Sequence, residues 1–574
     1  MKLYTLFLAC ACAVAPAADT VYFNGKIATM WERHPVVQAV AIRGNRFLAA
    51  GSNEEVRKAA APGSTFVDLK GRTVLPGLID SHTHPISSAL SEQDGPVPVM
   101  HSIPEIQAYI RRLASTTPAG RPIFVPKIYS TRLPERRYPT RQELDAAAPG
   151  RVVIADNGYA SVLSSAALAK LGITRSTPQP SNGKLMKDKD GEPTGLILGA
   201  PQLLAPVRNV RNPTRDDLEW ALKSMQKRYN EVGITSTIDR GQHPREFRLY
   251  QELRQRGELT VRSYVTYLIS AKGTPAQTRE EIENIPFVTG MGDAWFRVGS
   301  LKVVADGGIL IGTAYLREPY GPNTAIYGYS DPDYRGVLSV PRENIFEMAR
   351  VANRLGWQMT AHTAGGGATD VLLDAYEAAE RARGPKEPSV RDRRFTITHV
   401  NFPNAQAIER AKKLGVSFDC QPAWHHLDGE AIKDVFGPSR MRHFLPFRSL
   451  FDAGIVVAGG SDHMIRFDSR DATNPYNPFF GMWMAITRKT SSGAVLHGEQ
   501  AATRAEALRM WTLNGAYLSF EEKLKGSIEP GKLADMVVID RDYLDGPVDA
   551  IRDASALLTV VDGKVVFRSQ AMVN

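Results

Sequence analysis

The sequence predicts an α/β fold: a (β/α)₈ barrel of the TIM type with an insertion after its first strand, plus a small β-sandwich domain formed by both termini. Eight apolar segments alternate with helical patterns through the middle of the chain, as the strands of a parallel barrel do. Short strands with turn signals occur at both ends, and neither end has enough of them for a stable sheet of its own. The stretch after the first barrel strand is too long for one connection and is read as an insertion.

Each barrel strand is predicted from an apolar run. The predicted strands are Val74–His82, Gly233–Asp239, Val261–Ile269, Phe296–Ala305, Gln358–His362, Phe395–Val400, Val416–Gln421 and Ile455–Ser461. Helical periodicity lies between most of them, at Asp216–Val232, Pro341–Leu355, Ala368–Arg383 and Pro403–Leu414. This alternation favours parallel pairing, because parallel strands need a crossover connection that is usually helical.

The two ends of the chain show the period and the turn residues of hairpins. Short strands are predicted at Thr20–Phe23, Lys26–Met30, Val37–Arg43, Arg46–Ala50 and Thr65–Leu69, then at Met536–Asp540 and in a hairpin over Ala556–Arg568. The predicted division is a signal peptide at 1–17, the N-terminal part of the small β domain at 18–75, the barrel at 76–526 with its insertion at 88–209, and the C-terminal part of the small domain at 527–574.

Composition and charge limit the kinds of binding partner that we expect for this chain. The 574 residues carry a formal charge of +9, but Lys and Arg are spread along the chain without a basic stripe, so we expect no nucleic-acid partner. No stretch of the mature chain is apolar enough to predict an integral membrane segment. Cys420 is the only cysteine of the predicted mature chain, which excludes an intramolecular disulfide. A small-molecule substrate is expected, and a homodimer is left open.

The first barrel strand ends in His82-Thr83-His84. Side chains two apart on a strand point to the same face, so the two imidazoles converge while Thr83 faces away. Two neutral imidazoles form half of a metal site. A short motif of this kind also recurs by chance in solvated loops, so the interpretation depends on the other strand ends.

Further strand ends supply further metal-capable groups. Lys302 lies in the fourth strand, His362 ends the fifth, His399 the sixth, and Asp462 follows the eighth. Individually, Lys302 could extend from an edge strand to water and Asp462 could cap a helix. Active sites of these barrels lie at the carboxyl ends of the strands, so the joint pattern favours a metal site of His82, His84, Lys302, His362, His399 and Asp462.

The chemistry of this set predicts two divalent cations, such as zinc, which accept imidazole ligands. A protonated lysine has no lone pair for a metal. A buried Lys302 with a lowered pKa could instead react with carbon dioxide, and the resulting carbamate (an N6-carboxylated lysine) could bridge two metals. Two metals lower the pKa of a water and polarise a carbonyl. Asp462 would be the catalytic base that passes the water proton to a leaving nitrogen.

Several stretches taken together resemble one protein family. They are Pro76–Pro85, Pro139–Asp145, Ser165–Leu168, Asp190–Gly195, Gly233–Asp239, Leu301–Gly307, His362, His399, Gln421-Pro422, Gly460–Asp462 and Gly531–Asp535. This set resembles the amidohydrolase superfamily, specifically the YtcJ-like (amidohydrolase-3) branch that includes N-substituted formamide deformylases. The resemblance implies a metal-dependent hydrolase of a non-peptide carbon–nitrogen bond. It also implies His82, His84, His362, His399 and Lys302 as ligands and Asp462 as base.

The chain departs from the family pattern around the expected substrate pocket. Tyr159 stands where the family commonly has a His, Ser164 stands at an Asn position, and Gly365–Gly367 replaces a Gly-Asp-Arg pattern. Formamide specificity is therefore not transferred. We expect Tyr159, with three residues that follow the seventh strand, to face the substrate. These three are Trp424, His425 and His426.

Two other function classes stay open at this stage. A metal-dependent isomerase or lyase could use the same scaffold, and product analysis separates rearrangement from water addition. A non-catalytic binding protein is disfavoured because the complete ligand set and Asp462 are present.

The N-terminus predicts export to the periplasm or the medium. Lys2 precedes the apolar run Leu3–Val14, and the small residues Ala15-Pro16-Ala17 form a cleavage signal. The mature protein should therefore begin near Ala18. N-terminal sequencing of protein from the native host checks this, and an uncut Met1 would contradict it.

Overall fold

The structure is a computed structural model that describes residues 19–180, 183–207 and 212–572. The predicted signal peptide at 1–17 lies outside the described residues. So do residues 181–182 and 208–209 of the predicted insertion, and residues 18 and 573–574 of the predicted small domain.

Eight parallel strands form the central sheet, and they follow one another in chain order. Barrel strands 1 to 8 are Leu78–Thr83, Ile234–Gln242, Arg262–Leu268, Phe296–Val304, Met359–Thr363, Thr396–His399, Ser417–Cys420 and Val457–Gly459. The chain after barrel strand 8 meets barrel strand 1 through a parallel bridge between Thr83 and His463. The backbone N–H of Asp462 also donates to the carbonyl of His82 at 2.8 Å. The sheet is thus a nearly closed barrel, and the predicted parallel arrangement is confirmed.

Amphipathic helices cover the outside of the barrel. The α-helices of the described chain are Asn53–Ala59, Pro85–Leu90, Ile103–Thr116, Arg141–Ala147, Ser165–Leu171, Arg215–Glu231, Pro244–Gln255, Pro275–Glu283, Arg342–Leu355, Gly366–Ala382, Ala405–Leu414, Pro422–Met441, Phe447–Asp452, Pro478–Thr487, Arg504–Met510, Leu513–Leu518 and Val548–Arg552. The 3₁₀ turns are Ser130–Arg132, Pro201–Leu204, Ile309–Ile311, Ala325–Tyr327, Gly498–Gln500 and Gln570–Met572. Within the described ranges, no helix combines the length and apolarity that crossing a bilayer requires.

The prediction of one continuous strand over Val74–His82 is wrong. The chain forms two strands there, Thr73–Pro76 and Leu78–Thr83, which belong to different sheets. A Cβ on Gly77 would lie 2.3 Å from Oγ1 of Thr235 and 2.9 Å from Cβ of Asp535. Only glycine therefore fits where the chain passes from the terminal sheet into the barrel.

Both ends of the chain contribute to a six-stranded sheet. Its strands are Lys26–Ala28, Val36–Val37, Thr73–Pro76, Met536–Ile539, Ala556–Val561 and Lys564–Arg568. A four-stranded sheet lies beside it, with strands Thr20–Phe23, Ala39–Arg43, Arg46–Gly51 and Thr65–Asp68. Side chains of both sheets, such as Tyr22, Ile42 and Val538, share one buried apolar cluster.

The residues between barrel strands 1 and 2 form a sheet of their own. It has five strands: Ile123–Pro126, Val153–Asp156, Ala160–Leu163, Lys184–Lys187 and Pro193–Leu198. This sheet brings the loop 157–159 and residue Lys127 to the cavity at the carboxyl end of the barrel. The segment therefore contributes to the site as well as to the fold.

The passage at Gly77 gives a stability prediction. A Gly77→Ala substitution should lower the free energy of unfolding by about 1–3 kcal/mol, because the added methyl group has no space between two packed elements. Gly384→Ala is the matched control. A Cβ there meets Glu387 no closer than 3.7 Å, so we expect a change below about 0.5 kcal/mol. Thermal unfolding of both variants measures the difference, and equal midpoints would contradict the prediction.

Candidate metal centre

Three of the predicted site residues lie together at the end of the barrel. His82 and His84 follow one another on barrel strand 1, and Asp462 comes after barrel strand 8. One ligand atom from each of the three lies within 4.8 Å of the other two. The Nε2 atoms of His82 and His84 are each 3.3 Å from Oδ1 of Asp462. Barrel closure causes this proximity, since the strands that carry these residues are neighbours.

His362 and His399 extend this group along the next strand ends. The ring centroids of His399 and His82 are 4.9 Å apart, and those of His399 and His362 are 4.4 Å apart. The backbone at two of the site residues has a positive φ, +73° at His399 and +54° at Asp462. Non-glycine residues rarely adopt this conformation, and it tends to occur where a side chain must be aimed at a functional site.

Buried acceptors fix one ring nitrogen on three of the imidazoles. Nδ1 of His82 lies 3.0 Å from the carboxylate of Asp419, and Nδ1 of His399 lies 2.6 Å from the amide oxygen of Gln421. Nε2 of His362 lies 3.1 Å from the carbonyl of Gly307. Each of these ring nitrogens donates, because its partner can only accept. The opposite nitrogen of each ring is thereby left as a lone pair.

The imidazoles are held in their neutral form. Burial lowers the pKa of His362 to about 4, and the positive charge of Lys302 adds to this shift. Burial also lowers the pKa of His399 to about 3, and the neighbouring ring of His362 further disfavours a second positive charge there. Burial also lowers the pKa of His82 well below its ordinary value. A neutral imidazole is the form that binds a metal, so these side chains are ready ligands at neutral pH.

Lys302 lies in the wall of the same cavity and is 5% exposed. Burial lowers the pKa of its amine to about 8, against the attraction of Asp462. Asp306, four residues further along the chain, uses its carboxylate to bind backbone N–H groups. Its carboxylate accepts backbone N–H groups from Tyr315, Ala364 and Gly365 at 2.8–2.9 Å. Asp306 thus holds the turn that follows barrel strand 5, whereas Lys302 faces the cavity.

Asp462 is held as an anion. Burial raises the pKa of its carboxyl, but the neighbouring rings of His82, His84 and His399, with a hydrogen bond from His84, lower it by more, and the net pKa lies below its usual range. Its backbone carbonyl accepts from the side-chain amide of Asn474 at 2.7 Å. The result is a fixed carboxylate beside neutral imidazoles.

The donor set fits divalent cations. Nε2 of His82 is buried and has no hydrogen-bond partner, although it points toward the other ligand atoms. A buried polar atom without a partner costs free energy unless something binds it. Imidazole nitrogens together with one carboxylate suit borderline cations such as zinc. The residues present can therefore hold a metal.

A cavity of about 540 Å³ opens onto these groups. Tyr159 and Trp424, two of the predicted substrate residues, line it together with the metal-capable side chains. The ring of Trp424 stacks on His399 with centroids 4.7 Å apart, and that of Tyr159 lies 5.4 Å from His362. The indole N–H of Trp424 is buried and has no hydrogen-bond partner.

His425 and His426 lie outside the lining of this cavity, unlike what the sequence predicts. Helix Pro422–Met441 begins directly after barrel strand 7, so consecutive side chains point in directions about 100° apart. Only Trp424 of the three points to the cavity. His425 bonds to the carbonyl of Leu496 at 3.2 Å, and His426 to that of Lys489 at 2.7 Å.

Two residues around the imidazoles were not predicted from the sequence. Asp419 orients His82, and the guanidinium of Arg240 lies 2.8 Å from the other oxygen of Asp419. Alternation along barrel strand 7 gives a signal for Asp419. It lies two residues before Gln421 and therefore on the same face. No signal in the sequence singles out Arg240 from the other arginines.

Comparisons with known proteins find relatives that match almost the whole chain and a solved structure with the same fold. The N-substituted formamide deformylase of Arthrobacter pascens is 29% identical over 558 residues, which cover 95% of this chain and 97% of the relative. YtcJ of Bacillus subtilis (strain 168) is 26% identical over 560 residues, which cover 95% of this chain and 99% of that protein. The crystal structure of an uncharacterized metal-dependent hydrolase from Pyrococcus horikoshii OT3 has a TM-score of 0.68 at 24% identity. It covers 93% of this chain and 99% of that one, and it shows the shared fold.

The model of the family described as "Amidohydrolase family" matches residues 65–567, a span that contains the barrel, the intervening sheet and most of the C-terminal segment. The chain therefore belongs to the amidohydrolase family.

Proposed function

We propose that this protein is a metal-dependent hydrolase of a non-peptide carbon–nitrogen bond in a small molecule, with two divalent metal ions, Zn²⁺ for preference, and Asp462 as base. One observation carries the proposal. His82, His362 and His399 each keep one ring nitrogen unprotonated, and all three line the cavity that Asp462 also lines. Membership of the amidohydrolase family and the similarity to a formamide deformylase support the reaction class.

The proposed ligands are His82, His84, Lys302, His362, His399 and Asp462. When bound, such cations lower the pKa of water and polarise a carbonyl group. Asp419 and Gln421 keep the imidazoles of His82 and His399 in the tautomer that offers Nε2 to the cavity. Lys302 in carboxylated form would add an anion on the side of the cavity where barrel strand 4 offers no imidazole.

The proposed role of Asp462 is proton transfer. Its carboxylate is ionised, so it can accept the proton of the attacking water, and it can then return that proton to the leaving nitrogen. The carbon–nitrogen bond breaks as the carbon–oxygen bond forms, and the products are an acid and an amine. The bond from the side-chain amide of Asn474 to the backbone carbonyl of Asp462 holds this residue in place, and its Oδ1 lies 3.3 Å from Nε2 of His82 and of His84.

A panel of N-acyl, N-formyl and cyclic amides tests the function. Purified protein with a measured metal content is incubated with each compound, and the products are identified. An acid and an amine in equal amounts support hydrolysis. An isomer of the substrate, or an unsaturated product formed without water, would instead favour an isomerase or lyase on the same scaffold.

Replacement of Lys302 tests the proposed bridge. Lys302→Ala should lose at least one metal ion per chain and nearly all activity, because it removes the anion that a carboxylated Lys302 would supply to the cations. Short carboxylic acids with bicarbonate should restore part of the activity by supplying that anion. Metal analysis and turnover, with and without added carboxylate, measure both effects.

Asp306→Ala is the comparison that assigns the bridge. Asp306 accepts three backbone N–H groups, so we expect this variant to be less stable but to retain metal in its folded fraction. If Lys302→Ala keeps two metal ions and its turnover while Asp306→Ala loses both, Asp306 is the bridge and the proposal is wrong.

Tyr159 and Trp424 are proposed as substrate contacts. Tyr159→Phe and Trp424→Phe should change the ratio of kcat/KM values between substrates by about tenfold, since a hydrogen bond to a bound ligand is worth about 1 kcal/mol or more. Metal content should stay full. Kinetics on the active members of the panel measure this, and equal effects on every substrate would refute the proposal.

We also propose the domain boundaries and the localisation of the protein. The two sheets that share an apolar cluster are assigned to one small β-sandwich domain over 18–75 and 527–574, next to a barrel over 76–526 with its insertion at 88–209. Export to the periplasm or the medium is proposed on the N-terminal sequence, with cleavage after residue 17.

A further inference from the structure

A buried arginine connects three strands of the barrel next to the candidate metal centre. Arg240 belongs to barrel strand 2 and lines the same cavity as the imidazoles, although only 2% of it is exposed. Its Nε donates to the backbone carbonyl of Ser81 at 3.1 Å, and its Nη2 lies 2.8 Å from Oδ2 of Asp419. Ser81 is in barrel strand 1 and Asp419 is in barrel strand 7.

Both contacts of Arg240 lead to the same candidate ligand. Ser81 directly precedes His82, so the bond to its carbonyl limits the movement of the backbone that carries this ring. The other contact reaches the ring itself, because Oδ1 of Asp419 lies 3.0 Å from Nδ1 of His82. Arg240 therefore holds the backbone before His82 and also the carboxylate that fixes its tautomer.

Four donors surround the carboxylate of Asp419. Nδ1 of His82 and Nε2 of Gln421 each lie 3.0 Å from Oδ1. The hydroxyl of Thr398 and Nη2 of Arg240 lie 2.9 Å and 2.8 Å from Oδ2. Of these four donors, only the guanidinium carries a permanent positive charge. Arg240 is therefore the group that compensates the buried charge of Asp419.

The position of this carboxylate decides the orientation of two rings. With Arg240 on Oδ2, the other oxygen of Asp419 faces His82 and Gln421. The amide nitrogen of Gln421 is thereby used, and its amide oxygen accepts from Nδ1 of His399 at 2.6 Å. A carboxylate that turned away would release both rings, so the orientation of two candidate ligands depends on Arg240.

We propose that Arg240 is a positioning residue of the metal centre. By fixing the carboxylate of Asp419, it keeps the imidazoles of His82 and His399 turned toward the metal ions and so raises the affinity of the site for them. This inference rests on the proposed metal-dependent function and adds to it a residue that is not a ligand. A guanidinium has no lone pair for a metal, so Arg240 acts only through other side chains.

A purely structural role is the competing explanation, and Arg262 offers the comparison. Its guanidinium lies 2.7 Å and 3.0 Å from the two oxygens of Asp535. Arg262 is the first residue of barrel strand 3, so it lies at the opposite end of the barrel from the imidazoles. The side chains of Arg240 and Arg262 are both 1% exposed. The two arginines therefore match in burial and in type of partner and differ in their distance from the candidate site.

The zinc affinity of the protein measures positioning without any turnover. Each variant is stripped of metal, checked for folding by circular dichroism and titrated with Zn²⁺ against a chromophoric chelator. Arg240→Met should raise the Kd for zinc about ten- to hundredfold, the usual effect of removing a group that orients a metal ligand. Arg262→Met should unfold at a lower temperature but keep its Kd within about twofold of the wild type, since distant sites act independently.

Lysine variants keep the test decisive where the methionine variants do not fold. Arg240→Lys retains the positive charge, but one ammonium cannot reproduce the planar fork that reaches Ser81 and Asp419 together. We expect a smaller rise in the Kd for zinc of about three- to tenfold, and no change in Arg262→Lys. Equal effects of the matched substitutions at the two positions, or an unchanged Kd in a folded Arg240 variant, overturn the proposal.

A double-mutant cycle tests the route through Asp419. Asp419→Asn keeps the shape of the side chain but leaves one acceptor oxygen for His82 and Arg240, and it should itself raise the Kd about ten- to hundredfold. If Arg240 acts through Asp419, adding Arg240→Met should cause no further loss, because the effects of residues in one network do not add. Losses that multiply in the double variant mean that Arg240 acts by another route, and they overturn the proposal.

Zinc titration of the wild-type protein separates this inference from the proposed function. A wild-type protein that binds no zinc contradicts both. A wild-type protein that binds zinc, with Arg240 variants that bind it equally well, contradicts this inference alone. If zinc affinity falls as expected while no amide of the panel is hydrolysed, the positioning role is supported and the proposed reaction is wrong.

Discussion

The arrangement of the imidazoles depends on one buried carboxylate, that of Asp419. A fully buried anion is costly unless donors compensate it, and here His82, Gln421 and the guanidinium of Arg240 each lie 2.8–3.0 Å from its oxygens. Because the amide nitrogen of Gln421 is committed to Asp419, its amide oxygen faces His399. One carboxylate thus sets the tautomers of two imidazoles on different strands, and the unprotonated nitrogens that a metal requires follow from a charge that lies outside the ligand set.

At the neighbouring strand ends, some side chains stabilise the backbone and others line the candidate site. Asp306 could compete with Lys302 as the anion on barrel strand 4, but its two oxygens already accept three backbone N–H groups at the turn after barrel strand 5. That turn follows His362 directly, so the same contact helps to position an imidazole. Lys302 makes no such contribution to the backbone. A lysine buried in the wall of a cavity beside imidazoles is difficult to explain by packing alone, since burial disfavours its charged form.

The sequence predicts much of this fold because buried parallel strands are read as apolar runs, and because a barrel brings all their carboxyl ends together. The sequence does not predict the features that depend on contacts between residues far apart in the chain. The strand over Val74–His82 is continuous in hydrophobicity, and only the packing around Gly77 divides it between two sheets. His425 and His426 look like loop residues near the site, but a helix that begins at Pro422 turns them away. Arg240 is recognised only through its contact with Asp419.

The cavity is built by two parts of the chain with different constraints. The barrel supplies the imidazoles, Lys302 and Asp462, and their positions are tied to strand register and to buried hydrogen bonds. The insertion supplies Tyr159 and Lys127 from its own sheet and the turn after it. Substitutions in the insertion can therefore alter the charge and shape offered to a substrate without moving a metal ligand. The departure from the family pattern that the sequence predicts at Tyr159 is therefore compatible with an unchanged arrangement of the imidazoles.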